Sequence, residues 1–188
     1  MVPFRKKPFD FIKLGTVPEC SVVRKAWGEL TTDELYSILK LRTDVFFVEQ
    51  GIDEEELDNR DQEVTTEHLW IQDDRGVAAY LRVLWDDEAT HLDAHRIVGR
   101  VVVRADRRGE GLAKILFAEV IERRGHESLL LHAQEYIAPL YARFGFEEFG
   151  GVYAEAGLPH VSMYRPGHDR AGREGADQRA ADMVRPTA

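Results

Sequence analysis

The sequence is nearly free of cysteine and has no long apolar run. Cys20 is the only cysteine among 188 residues, which excludes an internal disulfide and predicts a reducing compartment. No stretch approaches the roughly 18 apolar residues of a membrane-spanning helix. The basic residues near the N-terminus are not followed by an apolar signal segment. We therefore expect a cytoplasmic protein with no membrane partner.

Positive charge is also scarce. The chain has 25 Lys and Arg against 34 Asp and Glu, a net charge of −9 at pH 7. Because nucleic-acid-binding proteins present a basic face to the phosphates, we predict no nucleic-acid partner. An amine-bearing partner remains open. The acidic run DEEELD (53–58) could attract a cation through its field, although such runs are more often only solvated.

The pattern of apolar residues predicts one domain, residues 21–165, between an irregular arm (1–20) and a disordered tail (166–188). A capping box from Thr31 to Glu34 starts a helix that Gly51 can end. Strands are predicted at 21–27, on both sides of the turn at 73–76, and in two final segments at 147–155 and 159–165. Residues 96–103 read RIVGRVVV, typical of a strand buried on both faces.

A turn rich in glycine and arginine, RRGEGLAK (107–114), separates that strand from a helix, and a second apolar strand, SLLLHAQ, follows. Strand, helix and strand together predict a parallel βαβ unit. The first N–H groups of a helix have no internal partner and favour an anion, usually phosphate. The turn has neither the lysine motif of a Walker A loop nor the third glycine of a dinucleotide fingerprint.

The pattern R-x-x-G-x-A, formed by Arg108, Gly111 and Ala113, resembles the pyrophosphate loop of the GNAT acetyltransferase superfamily. The segments LRTDVFFVEQ, EHLW, IVGRVVV, LYARFGF and VYAEAGLPH resemble the ElaA-like branch of that superfamily, in the same order. The resemblance implies an α/β (α+β) fold: a mixed, mostly antiparallel sheet, splayed at a central parallel pair and flanked by helices. It also implies acetyl-CoA as cofactor and allows a homodimer.

The resemblance places the cofactor along the central strand and the turn. Backbone at the end of the strand would pair with the pantetheine arm, the turn would hold the phosphates, and the end of the next strand would add a polar contact, although asparagine is commoner there. The implied residues are Val101, Val103, Arg107, Arg108, Gly109, Gly111, Leu112, Ala113, Lys114 and Gln134.

The resemblance makes Tyr141 the acid that protonates the leaving thiolate. Glu49 is predicted to bind or deprotonate the incoming ammonium, and Arg42, seven residues earlier on nearly the same helical face, to bind substrate with it. His68 and His160 are further candidates, as base or as substrate contact, because histidine titrates near neutral pH.

Two other polar features have structural explanations. Arg100 interrupts an apolar strand and needs a carboxylate partner, such as Glu49. His91, Asp93 and His95 lack the further ligands of a metal site, so we predict no metal.

The expected function is transfer of an acetyl group from acetyl-CoA to a primary amine of a small molecule by direct attack. Two alternatives stay open. One is a non-catalytic acyl-CoA-binding sensor or interaction protein on the same scaffold, because a fold does not guarantee activity. The other is an enzyme that uses a longer acyl donor, as the related acyl-homoserine lactone synthases do.

Overall fold

The computed structural model describes residues 21–167. The predicted arm, and the predicted tail beyond residue 167, lie outside the described residues. A seven-stranded mixed sheet carries three helices and a π-helical segment, Asp44–Glu49. The helices are α1 (Thr32–Thr43), α2 (Leu112–Arg124) and α3 (Ala138–Ala142). The strands are β1 (Val23–Ala26), β2 (Glu67–Asp73), β3 (Gly76–Trp85), β4 (Arg96–Val103), β5 (Leu129–Gln134), β6 (Glu147–Glu155) and β7 (Leu158–Arg165).

The strand order is β1-β2-β3-β4-β5-β7-β6, and β4–β5 is the parallel pair; the other neighbours run antiparallel. The parallel pair is joined through α2, so the predicted βαβ unit and the mixed, mostly antiparallel sheet are confirmed. One apolar cluster lies between the sheet and α2 and α3, and includes Leu116 and Phe117. A second lies under α1 and includes Ile38 and Tyr80.

Helix α1 begins at the predicted capping box. Thr31 Oγ1 accepts a hydrogen bond from Glu34 N at 3.2 Å, and the Glu34 carboxylate accepts one from Thr31 N at 2.9 Å. The single long helix expected up to Gly51 is wrong, because α1 ends at Thr43 and a π-helical turn follows. In that turn Gln50 N donates to Val45 O five residues earlier, at 3.0 Å. π-helical turns are rare in proteins, and those that occur often lie at functional sites.

Strands β4 and β5 pair over three positions only, from Arg96–Leu129 to Val98–Leu131. On the side that faces β3, β4 has a bulge at this point. Arg82 pairs with Gly99 and Tyr80 with Val102, so two residue steps in β3 are matched by three in β4. Arg100, in the bulge, has a positive φ of 54°. A bulge bends its strand and increases its twist. Beyond Val98, β4 therefore separates from β5, and the central pair is splayed.

The prediction that residues 96–103 are buried on both faces is wrong. Only Val98 and Val102 of this strand are buried, and the other six residues are half-buried. The reason is the separation from β5, which leaves one side of β4 beside an open cleft. Within residues 21–167, no helix is long and apolar enough to cross a membrane.

Candidate functional site

A cavity of about 660 Å³ opens where β4 and β5 separate. Its walls come from both strands, from the turn before α2, from the π-helical segment and from α3. This volume lies in the range of small-molecule sites, roughly 300–1,000 Å³. On the β5 side, β4 has no partner strand beyond Val98, so its edge borders the cavity.

The glycine turn forms one end of the cavity. Gly109 and Gly111 have φ values of 82° and 84°, in the region that favours glycine, and a Cβ at either would meet nothing within 4 Å. Helix α2 begins at Leu112, and no side chain caps its N-terminus. The first N–H groups of α2 thus point their partial positive charge at open space. A phosphate group fits this end of the cavity.

The two arginines of the turn are held by carboxylates. Arg107 contacts Glu110, with Nε 2.9 Å from Oε2, and also contacts Asp73. Arg108 donates from Nε to Val103 O at 3.1 Å. Its Nη1 and Nη2 each donate to one oxygen of Glu49 at 2.7 Å, a bidentate pair. Hydrogen bonding to Arg108 lowers the pKa of Glu49.

Tyr141 lies on α3, whose first turn contains Pro139. The Tyr141 ring packs on Phe117, with ring centroids 4.9 Å apart, and its side chain is 6% exposed and lines the cavity. Its hydroxyl has no hydrogen-bond partner within residues 21–167. Burial raises the pKa of Tyr141, so its hydroxyl keeps its proton at neutral pH.

Another part of the cavity wall is acidic and contains histidine. Glu54, Glu55 and Glu56, from the run that sequence patterns assign to solvent, line it together with Glu155. His160, on β7, lines it as well and is 7% exposed. The arrangement combines an anion-binding end, a buried proton donor and a wall that favours a cation.

The chain is similar to known proteins over most of its length. Residues 38–165 match the family model for an acetyltransferase (GNAT) domain. The chain belongs to the GNAT acetyltransferase family. A UPF0039 protein of Mycobacterium bovis is 34% identical to it over 152 residues, which cover 80% of this chain and 97% of that protein. Protein ElaA of Escherichia coli is 33% identical over 144 residues, covering 73% and 91%.

Solved GNAT structures agree with this assignment. The crystal structure of E. coli ElaA aligns with a TM-score of 0.69 at 30% identity, covering 77% of this chain and 98% of that chain. An acyl-CoA N-acyltransferase from Pseudomonas aeruginosa aligns with a TM-score of 0.69 at 34% identity and the same coverage. The resemblance to the ElaA-like branch and the GNAT fold are thus confirmed. The domain is that of an acyl-CoA-dependent transferase.

The cavity contains a strand edge of β4 that has no partner strand beyond Val98 and a helix N-terminus that no side chain caps. All the residues predicted for the cofactor line it: Val101, Val103, Arg107, Arg108, Gly109, Gly111, Leu112, Ala113, Lys114 and Gln134. Tyr141, Glu49 and His160 line it too, so the structure brings these predicted residues together.

His68 is not brought to the cavity. It is 1% exposed on β2, and both ring nitrogens are used, Nδ1 with Tyr80 Oη at 2.8 Å and Nε2 with Asp61 O at 3.0 Å. Burial lowers the pKa of His68, so the ring is neutral. Its position therefore corrects the catalytic role that the sequence suggested and makes His68 part of the packing beneath the site.

Arg42 is not at the cavity either. It is 1% exposed and donates to Glu56 and, at 2.8 Å, to Asp61, so it fastens the acidic segment to α1 rather than binding substrate. Arg100 has carboxylate partners, as expected, but they are Glu56 at 2.8 Å and Asp58 at 3.4 Å. The suggested pairing of Arg100 with Glu49 is wrong, because Arg108 occupies both Glu49 oxygens.

Sequence reasoning missed several residues of the site. Gln50 accepts a hydrogen bond from Gln134 Nε2 at 3.1 Å and so links the π-helical segment to β5. Tyr136 and His132 also line the cavity. No local pattern identifies Gln50, because its partner lies 84 residues away. His132 alternates with buried residues along β5, a period-2 signal that places it on one face of the sheet.

Proposed function

We propose that this GNAT protein is an N-acetyltransferase that transfers the acetyl group of acetyl-CoA to a primary amine of a small molecule by direct attack. One observation carries the proposal. A single cavity holds the open N-terminus of α2, the free edge of β4 and the unpartnered hydroxyl of Tyr141. These are the groups needed to hold a phosphate, align an extended arm and donate a proton.

Acetyl-CoA, when bound, supplies a thioester carbonyl that an amine can attack. The backbone N–H groups at the start of α2, with Arg107, Arg108 and Lys114, would hold its phosphates. Backbone at Val101 and Val103 would align its arm. Arg108 uses three of its five N–H donors on Val103 and Glu49, which leaves two for phosphate.

Tyr141 is suited to be the acid. Its raised pKa keeps the hydroxyl protonated, so it can donate a hydrogen bond to the sulfur as negative charge develops there and can relay a proton from the attacking nitrogen. Glu54, Glu55 and Glu155 give part of the cavity wall a negative charge that would attract an ammonium group. Composition further suggests a cytoplasmic enzyme without a nucleic-acid partner, and the family resemblance suggests that it can form a homodimer.

Thermal unfolding with and without acetyl-CoA, followed by thiol release with a panel of amines, tests the proposal. Ligand at about 100 times its Kd stabilises by ~2.7 kcal/mol, which for this size raises Tm by roughly 5–10 °C. No shift at millimolar acetyl-CoA would overturn the cofactor assignment. A shift in Tm without release of the coenzyme A thiol, whichever amine is added, would favour the non-catalytic sensor. A higher rate with longer acyl chains would favour another acyl donor.

A further inference from the structure

We propose that His160 is the general base of this site and takes a proton from the ammonium group of the acceptor. The inference rests on the proposed function and deepens it. A primary amine with a pKa of about 10.4 is almost entirely protonated at neutral pH. Direct attack requires the free amine, so a positioned base would raise the rate.

The hydrogen bonding of His160 leaves one ring nitrogen available as a base. Nδ1 lies 2.9 Å from the carbonyl oxygen of Leu158, two residues earlier in β7. A carbonyl can only accept, so Nδ1 carries the hydrogen and, in the neutral ring, Nε2 carries the lone pair. Nε2 has no hydrogen-bond partner within residues 21–167. The strand thus holds the ring in the tautomer that a base requires.

Of the other candidate bases, Glu49 and His68 have their basic atoms in hydrogen bonds, and His132 has no fixed tautomer. Both oxygens of Glu49 bond to Arg108, which lowers the pKa of Glu49 and weakens it as a base. His68 uses both nitrogens. His132 is exposed, and its Nδ1 lies 2.8 Å from Tyr153 Oη and 3.1 Å from Ser162 Oγ. Hydroxyls donate as well as accept, so they do not fix the tautomer of His132.

The groups around His160 suit a ring that gains a positive charge. Gln134 of β5 and Tyr153 of β6 lie opposite it in the sheet. Burial raises the pKa of Tyr153, so this neighbour stays neutral. The cavity wall contains the His132 ring and the carboxylates of Glu49, Glu54, Glu55, Glu56 and Glu155. It also contains three arginines that are paired with carboxylates, together with a lysine and two tyrosines: Arg100, Arg107, Arg108, Lys114, Tyr136 and Tyr141. Glu54, Glu55 and Glu155, which form no ion pair within residues 21–167, would stabilise an imidazolium ion.

The proton transfer is balanced. An N–H bond of the ammonium breaks and leaves its electron pair on the amine nitrogen, while a new N–H bond forms at Nε2. The amine then attacks the thioester carbonyl carbon. As the carbon–sulfur bond breaks, the second nitrogen proton reaches the sulfur through the Tyr141 hydroxyl. The imidazolium returns its proton to water after the product leaves.

The sharpest variants are His160→Asn and His160→Gln. In His160→Asn, the side-chain amide nitrogen can keep the hydrogen bond to Leu158 O, but no Nε2 remains to accept a proton. We expect kcat/KM to fall about 10²-fold or more in His160→Asn, with the thermal shift by acetyl-CoA unchanged. In the wild type, kcat/KM should fall on the acid side of the pH profile as one group gains a proton. This acid limb should be absent in His160→Asn. His126→Gln, away from the cavity, serves as the control that keeps rate and profile.

Three results would overturn the inference while leaving the proposed function in place: a His160→Asn enzyme with normal kcat/KM, an acid limb that persists in it, or a limb that is lost in His132→Gln instead. A readout without catalysis also decides. In ¹⁵N-labelled protein with coenzyme A, the proposal expects Nε2 of His160 to be unprotonated and to shift when amine is added. A protonated Nε2 in the neutral ring, or no shift with amines that bind, would exclude it even if no thiol release were found.

Discussion

At the residue scale, the site is defined by which polar atoms are engaged and which are free. Glu49 and Arg108 form an ion pair at 2.7 Å, and the polar atoms of Arg42 and His68 are hydrogen-bonded within the protein. The Tyr141 hydroxyl has no partner in the described part of the chain. Because Tyr141 borders the cavity, a bound molecule can supply the hydrogen-bond partner that the described part of the protein does not.

Tyr141→Phe therefore separates catalysis from stability. We expect kcat to fall by about 10²-fold or more because the proton donor is lost, while the Tm and the affinity for acetyl-CoA stay the same because no hydrogen bond within the protein is broken. Steady-state kinetics and thermal unfolding measure both. Tyr36→Phe, at a tyrosine 70% exposed on α1, is the matched control. Full activity in Tyr141→Phe would remove Tyr141 from the mechanism.

At the element scale, most boundaries follow from local patterns. The capping box at Thr31, the turn between β2 and β3 and the glycine turn before α2 each depend on a few neighbouring residues, so the sequence predicts them. The bulge at Arg100 and the π-helical turn do not follow from such patterns. They depend on partners 42 to 59 residues away, including Asp58 for Arg100 and Arg108 for Glu49.

The turn before α2 and the family resemblance suggested the candidate cofactor residues, and all of them line the cavity. The sequence did not distinguish the histidines in this way. His68 and His160 look equivalent in sequence. Only the hydrogen bonds of the folded chain show that, within residues 21–167, one ring nitrogen of His160 has no partner whereas both ring nitrogens of His68 have one. The acidic run was expected to be solvated, yet its middle residues line the cavity because Arg42, Arg82 and Arg100 draw the segment inward.

The turn before α2 gives an element-scale prediction. Gly111→Val should abolish the stabilisation by acetyl-CoA, because the side chain would enter open space at the phosphate end. It should also lower the Tm without ligand, since φ is 84° there. Gly150→Val in β6, with φ of 72° and equally open space, controls for that strain. It should lose stability but keep the ligand shift in thermal unfolding. A normal shift in Gly111→Val would refute the assignment of the turn.

At the scale of the whole molecule, an ion-pair network joins the acidic segment to α1 and the sheet. Arg82, 2% exposed on β3, donates to Asp58 from both Nη atoms, at 2.8 and 2.6 Å, and to Asp61 at 2.9 Å. Arg42 reaches Asp61 from α1. Breaking such a buried pair is costly because it leaves an uncompensated charge. The network therefore couples the acceptor side of the cavity to global stability.

This network predicts how stability depends on pH. Burial would raise the pKa of Asp58, but Arg82 and Arg100 outweigh it and lower that pKa from 3.8 to about 2. A lowered folded-state pKa contributes stability above the unfolded value, and the contribution is lost as pH falls through about 2. We expect wild-type unfolding free energy, from urea titrations, to lose roughly 2 kcal/mol more between about pH 4 and 2 than Asp58→Asn. Asp74→Asn, at an exposed turn, should keep the wild-type dependence. The same acid loss in Asp58→Asn would show that the network does not set the acid stability.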